Sequence, residues 1–344
     1  MAGVRRSASG ASATNSARLG GAGARAPREH HHDHAPIGKF IAVDGTRLHY
    51  LDCGAGTPVV LLHGNGSMIE DFAASGLIEG AAADHRVVAF DRPGFGYSER
   101  PAGRAWTPAE QSSLLRKAFA LLDIERPVVV AHSWGTLVAV SLALAGPDSV
   151  AGLVLLSGYY YPTPRPDAAA IAQGVAMLGT AVAPLLSPLL AAGAVRRAFA
   201  PCAVPEAFNK AYPMSRALWP PQVKAVAEEA AMMPSAAQSL SRSYAELAVP
   251  VHLMAGSEDR IVETDKHSAR LHRQLPGSTF QRVAGCGHMV HHAAPEDVVA
   301  AIRTMGQAPP RPGAAGPPAG EAVRRRWLHI GESAAALRRD LATA

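Results

Sequence analysis

Short, wholly apolar runs alternate along this chain with stretches whose apolar positions recur every three or four residues. The first pattern fits strands buried on both faces and the second fits amphipathic helices. Strands are expected at Lys39–Val43 and Arg47–Leu51, on either side of the hairpin signal Asp44-Gly45. Further strands are expected at Pro58–Leu62, Arg86–Phe90, Pro127–Ala131, Ala151–Leu156, Val249–Ala255 and Thr279–Val283. Helical spacing marks about 68–80, 108–122, 134–145, 263–274 and 295–306. Strands that take turns with helices predict an α/β class domain: a mostly parallel, doubly wound sheet covered on both faces.

The alternation stops at Ser157 and resumes at Val249. Residues 158–246 carry helix-like runs and no convincing strand, so they are expected to be a helical insertion. The α/β core would then comprise residues 37–157 and 247–306. From Ala168 to Val195 no residue is charged, a length that reaches the bilayer scale. Pro184, Pro188 and three glycines break that run and alanine dominates it, which favours a roof over a pocket, with at most a weak membrane contact, over a span. Residues 1–36 and 307–344 hold few large apolar residues and are expected to be a disordered N-terminal tail and a flexible C-terminal one.

Charge narrows the field further. The net +5 belongs to the two tails at +3 each, which leaves −1 for the middle. The expected folded part therefore has no basic face for nucleic acid. Three cysteines, Cys53, Cys202 and Cys286, are too few and scattered for a disulfide framework or a zinc site. The N-terminal tail lacks the apolar run of a secretory signal, and a cytoplasmic location is expected. His30, His31, His32, Asp33 and His34 read as a solvated tract, since no frame holds them as ligands.

Candidate chemistry gathers at strand ends, where open α/β sheets collect ligands. Ala131-His132-Ser133-Trp134-Gly135 puts a serine between small residues at a strand-to-helix turn, the geometry of a nucleophile elbow. Asp259 follows the strand ending near Ala255, and His288 follows the one ending near Val283. Serine needs a base within hydrogen-bond reach, histidine can take and return that proton, and a carboxylate can hold the imidazole tautomer. Backbone N–H groups of Asn65 and Trp134 are the expected oxyanion donors. Glu258 is the rival acid. His291 and His292 read as pocket-rim or helix-start residues, His63 as packing beneath the oxyanion loop, and Asp91 and Arg92 as braces. Cys286 shows no sign of being a thiolate.

His63-Gly64-Asn65-Gly66, the stretch Asp91 to Ser98, His132-Ser133-Trp134-Gly135, the Gly256…Asp259 loop and Gly287-His288 together resemble the serine α/β-hydrolase superfamily, over residues 37–306. The resemblance implies Ser133 as nucleophile, Asp259 as acid, His288 as base, and Asn65 and Trp134 at the oxyanion. Ala131 and Thr136 depart from glycines usual in the family. Relatives with His-Asp-Trp-Gly at the elbow, the epoxide hydrolases and haloalkane dehalogenases, use an aspartate that Ser133 cannot replace. The insertion resembles the family's cap, with Tyr159, Tyr160, Tyr161, Met177, Met214 and Trp219 as candidate walls. A hydrolase of small, largely hydrophobic esters, with no cofactor, no metal and no obligate protein partner, is the expected function. A carbon–carbon hydrolase of diketo acids, with Arg165, Arg196, Arg197 or Lys210 binding a carboxylate, and a non-catalytic binding protein are the alternatives.

Overall fold

In the computed structural model, residues 35–164, 169–170, 173–174 and 183–308 are described. The His30–His34 tract, nearly all of both expected tails, Arg165 and Met177 lie outside the described residues, as does much of the uncharged run.

Eight strands form one sheet: β1 (Lys39–Val43), β2 (Thr46–Gly54), β3 (Pro58–Leu62), β4 (Arg86–Phe90), β5 (Val128–His132), β6 (Gly152–Leu156), β7 (Val251–Gly256) and β8 (Thr279–Val283). Their order is β1-β2-β4-β3-β5-β6-β7-β8. The β1/β2 and β2/β4 pairs are antiparallel; all other pairs are parallel. This is the expected α/β, mostly parallel sheet. Asp44 and Gly45 turn the first hairpin at φ 47 and φ 72, the left-handed pair that such a two-residue turn needs.

The helices are α1 (Ile69–Ala74), α2 (Leu77–Ala82), α3 (Pro108–Leu121), α4 (Gly135–Ala145), α5 (Ala183–Phe199), α6 (Glu206–Ala211), α7 (Met214–Ala217), α8 (Pro220–Ser241), α9 (Ser268–Gln274), α10 (Val290–Ala293) and α11 (Pro295–Gln307). Successive strand residues point to opposite faces, so Val60 and Leu62 join the core with Leu114 and Leu137. Val59 and Leu61 join the other, with Phe72 and Ile302. Both faces are apolar, which is why the strands read as continuous apolar runs.

Two helices differ from expectation. The span 68–80 is broken into α1 and α2 at Gly76, which takes φ 77. The span 263–274 is helical only from Ser268. Before it, the Thr264 hydroxyl donates to the Gly256 carbonyl (2.6 Å), and the Ala269 N–H reaches back to the Thr264 carbonyl (3.0 Å). Those bonds tie the residues to the end of β7 in turns, at the expense of a regular first helical turn.

Between β6 and β7 the described residues hold α5–α8 and no strand. This insertion is fastened to the sheet through a buried ion pair. Arg92, just after β4, is fully buried with Glu229 of α8. Its Nη1 donates to Glu229 Oε1 (2.5 Å) and Gln111 Oε1 (3.0 Å), its Nη2 to Glu229 Oε2 (3.0 Å) and the Gly64 carbonyl (2.9 Å), and its Nε to the His63 carbonyl (2.8 Å). All five guanidinium N–H groups are thus satisfied, the condition under which a buried cation is tolerable.

Removing one partner of such a pair strands the other. Glu229→Ala should destabilise the fold by about 3–5 kcal/mol in urea unfolding, and Glu229→Gln by less, because the amide keeps an acceptor for Arg92. Equal stability of Glu229→Ala and the parent protein would show that the pair is dispensable.

Candidate active site

β5 delivers the chain to Ser133 at φ 51, in the left-handed region that a non-glycine residue enters only at a cost. The turn is held from both sides. The Ser133 N–H donates to the Leu156 carbonyl (2.9 Å), and the Thr136 hydroxyl donates to the Ser133 carbonyl (2.6 Å). Thr136, one of the two departures from the family pattern, is therefore a staple of the elbow. Ala131, the other, has its methyl fully buried in the core. Gly135 is constrained outright: a Cβ there would lie 2.5 Å from the Leu62 carbonyl oxygen and 2.6 Å from that of His63. The helix after the serine can approach the end of β3 only without a side chain.

His288 is set by Asp259. The two meet at 2.7 Å between Nδ1 and Oδ2, and Asp259 Oδ1 accepts the N–H groups of Ile261 and Val262 at 2.8 Å each. With Asp259 ionised, Nδ1 carries the proton, and Nε2 is left as the basic nitrogen. The rival acid Glu258 is exposed. The base and the elbow adjoin through His132, whose ring lies 4.8 Å from that of His288 and whose Nε2 donates to the His288 carbonyl (3.1 Å).

Asn65 lies on the loop after β3, which abuts the elbow so closely that a Cβ on Gly64 would be 3.0 Å from Ser133 Cβ. Among the described residues, no acceptor takes the backbone N–H of Asn65 or Trp134. The Asn65 side chain donates to the Val226 carbonyl of α8 (3.2 Å). Beneath the loop, His63 donates from Nδ1 to the Gly64 carbonyl (2.8 Å) and accepts the Arg92 N–H at Nε2 (2.9 Å). Burial, with the Arg92 charge adding to it, pushes its pKa down to about 3, so it is a neutral strut.

Other candidates fall elsewhere. Tyr159 and Tyr160 are fully buried in the main core. The Tyr159 hydroxyl donates to the Thr163 carbonyl (2.5 Å), and Tyr160 lies beside Thr136 and Ser268, as a support under the elbow helix. Trp219 is 36% exposed with its ring 4.1 Å from the Arg216 guanidinium. Asp91 braces the end of β4, receiving His49 Nδ1 (2.7 Å) and the N–H groups of Tyr97 and Ile69 (2.9 Å each). Burial pushes the Cys286 thiol up to about 11, far from a thiolate at neutral pH. His291 and His292 are on α10 and face Asp71 of α1.

Glu229, Gln222 and Arg216 were missed by the sequence reading. They sit on the insertion and reach the loop after β4 across more than a hundred residues, as in Arg216 Nε to the Gly96 carbonyl (2.6 Å) and the Gly96 N–H to Gln222 Oε1 (2.9 Å). The one available signal was a glutamate pair, Glu228-Glu229, in an alanine-rich helix.

Residues 57–295 match the family model described as the alpha/beta hydrolase fold. A 2-hydroxymuconate semialdehyde hydrolase from Pseudomonas sp. is 35% identical over 129 residues, 37% of this chain and 46% of that protein. A 2-hydroxy-6-oxo-2,4-heptadienoate hydrolase from Pseudomonas putida is 25% identical over 271 residues, 74% of this chain and 91% of that protein. Against the first of these, the match spans less than half of the relative's length. In fold, the chain is similar to an esterase from Exiguobacterium antarcticum, with TM-score 0.67 at 20% identity over 79% of this chain and 100% of that one. It is likewise similar to the enol-lactonase from Burkholderia xenovorans LB400, with TM-score 0.65 at 18% identity over 78% of this chain and 99% of that one. Among the described residues no helix is long and apolar enough to cross a membrane.

Buried ionisable groups give the fold an acid-sensitive stability. His63 and His132 stay neutral well below their usual range because of burial, so below about pH 6.5 only the unfolded chain protonates them. Glu70, pushed up to about 7 by burial, acts in the opposite sense above its usual range. His252 and His291 are held down by burial in the same way, so the lowered imidazoles outnumber the one raised carboxyl, unfolding takes up protons, and stability should fall from about pH 6 to 5. Urea unfolding at the two pH values tests this; no loss at the lower one would contradict the burial of neutral imidazoles.

Proposed function

Because this chain belongs to the alpha/beta hydrolase fold family, we propose that it cleaves carboxylic esters, or related acyl compounds, of small and largely hydrophobic substrates. The observation that carries this reading is the Asp259–His288 pair, with both carboxylate oxygens engaged, its imidazole 4.8 Å from the ring of His132, the neighbour of a serine held at φ 51.

The steps follow from the groups present. His288 Nε2 takes the Ser133 hydroxyl proton as Oγ attacks the acyl carbon, and Asp259 stabilises the imidazolium that forms. The oxyanion is met by the N–H groups of Asn65 and Trp134, neither of which is taken by a backbone acceptor among the described residues; donors fixed in advance stabilise such charge without reorganisation. The tetrahedral intermediate collapses, the C–O bond to the alcohol breaks, and His288 returns the proton to the departing oxygen. Water, deprotonated by the same nitrogen, then releases the acid and restores Ser133.

A second reading, carbon–carbon cleavage of a diketo acid, is favoured by the names of the two Pseudomonas relatives. It requires a cation for the substrate carboxylate. Arg196, Arg197 and Lys210, the described candidates, are exposed, and Lys210 pairs with Glu206 at 2.7 Å. Haloalkane dehalogenase 2 of Mycobacterium tuberculosis is another relative, 32% identical over 116 residues that make up 34% of this chain and 40% of that protein. Its named chemistry does not suit a serine at position 133.

Ser133→Ala should lower kcat for short p-nitrophenyl esters by about 10⁶ and abolish fluorophosphonate labelling, and Asp259→Asn should lower kcat by about 10⁴. Labelling of another residue, or full turnover by Ser133→Ala, would overturn the nucleophile. A panel of esters and diketo acids on one preparation separates the two readings: diketo acid turnover without ester turnover would reverse their order.

A further inference from the structure

Behind the catalytic histidine lies a group of side chains that the proposed reaction does not use. Asp71, on α1, is 1% exposed, and His291, on α10, is fully buried. Asp71 Oδ1 faces His292 Nε2 at 2.8 Å and His291 Nε2 at 3.3 Å. One ligand atom from each of the three residues falls within 4.8 Å of the others. Phe199 and Phe208 of the insertion close over His292, with ring centroids at 5.0 and 5.6 Å.

Two features of this group lack an account as a hydrogen-bonded core. His291 Nδ1 has no hydrogen-bond partner, and its Nε2 has only the long contact to Asp71, although a buried polar group without a partner costs on the order of 1–3 kcal/mol. Asp71 also has no lysine or arginine ion-pair partner among the described residues, only the two imidazoles. A buried carboxylate facing two imidazole nitrogens is instead the donor set of a divalent transition metal.

We propose that Asp71, His291 and His292 form a binding site for a divalent transition metal of the zinc class. A tetrahedral ion with ligand bonds of about 2.0 Å separates neighbouring donor atoms by about 3.3 Å. The Asp71–His291 separation already has that value; His292 stands closer to Asp71, and the two imidazole nitrogens, within 4.8 Å of each other, would draw together around the ion. Ser67 Oγ donates to Asp71 Oδ2 at 2.7 Å, which fixes the second oxygen and leaves Oδ1 as the ligand, the usual outer support of a coordinating carboxylate. Three protein ligands leave one position of the tetrahedron for water. The ion would bridge α1 to α10, and the His291 ring lies 4.6 Å from that of His132, which donates to the His288 carbonyl. The site is therefore a clamp on the segment that carries the base, separate from the reacting atoms.

So that the histidines of the 30–34 tract contribute nothing to metal uptake, the test uses the chain with His30, His31, His32 and His34 changed to alanine. Incubated with Zn²⁺ and desalted, that protein should retain one equivalent of metal and gain a few degrees in Tm. With Co²⁺ it should show visible ligand-field absorption of low-symmetry four- or five-coordination. His292→Ala and Asp71→Asn, with folding checked by circular dichroism, should lose retention, Tm gain and absorption together. Should either variant fail to fold, the Co²⁺ spectrum and stoichiometry of the tract-silenced parent decide. Retention no greater than a non-binding control protein's, or retention unchanged in folded His292→Ala, overturns the site.

Discussion

The guanidinium of Arg92 is the point on which this architecture closes. Buried with no water to solvate it, it has to be met by acceptors on every side, and those acceptors come from three different parts of the chain. The His63 and Gly64 carbonyls belong to the loop that presents the Asn65 N–H, Gln111 to α3, and Glu229 to the insertion. One desolvated charge thereby fixes the position of the loop after β3 relative to the sheet and of the insertion relative to both. Because the interaction is electrostatic and its environment excludes water, misplacing any one partner costs more than the hydrogen bond alone.

Ser133 shows how such fixation is spent. A serine at φ 51 is unfavourable in isolation, and here it is held by Leu156 on one strand, Thr136 on its own helix, and a glycine at 135 that lets the helix close on the Leu62 and His63 carbonyls. The strain is local, but its support is distributed over β3, β5 and β6. Burial likewise keeps His63 neutral, so the strut beneath the oxyanion loop adds no charge next to Arg92.

Much of this was legible in the sequence, and for a physical reason. Strands buried on both faces leave unbroken runs of valine and leucine, and a tight turn demands small residues at fixed offsets; both are local constraints. The eight strands, the elbow, and the loops carrying Asp259 and His288 could therefore be located from residues alone. What was not legible depended on distance along the chain. Glu229 meets Arg92 from 137 residues away, and a glutamate on an alanine-rich helix reads like any solvent-facing one. Tyr159 and Tyr160 read as pocket walls because they open the insertion. Their burial in the main core follows from α4 and Tyr244 packing around them, which no periodicity announces. The break at Gly76 was missed because a single glycine in a helical pattern is often tolerated.

Beside the apolar packing of Met233, Ala237 and Leu240 into the main core, the insertion meets the sheet side through a set of polar bonds: Asn65 to Val226, Tyr212 to Gly66, Arg216 and Gln222 to Gly96, and Glu229 to Arg92. Such a set works as a fitting with a key. On the reading of the insertion as a roof, most of it can drift in sequence without disturbing the serine, the histidine or the aspartate. Any exchanged roof, however, must still deliver one carboxylate to the depth of Arg92. A graft that omits it would leave a bare cation under the loop after β3, and the loop beside Ser133 would lose its footing for a reason that lies entirely above it.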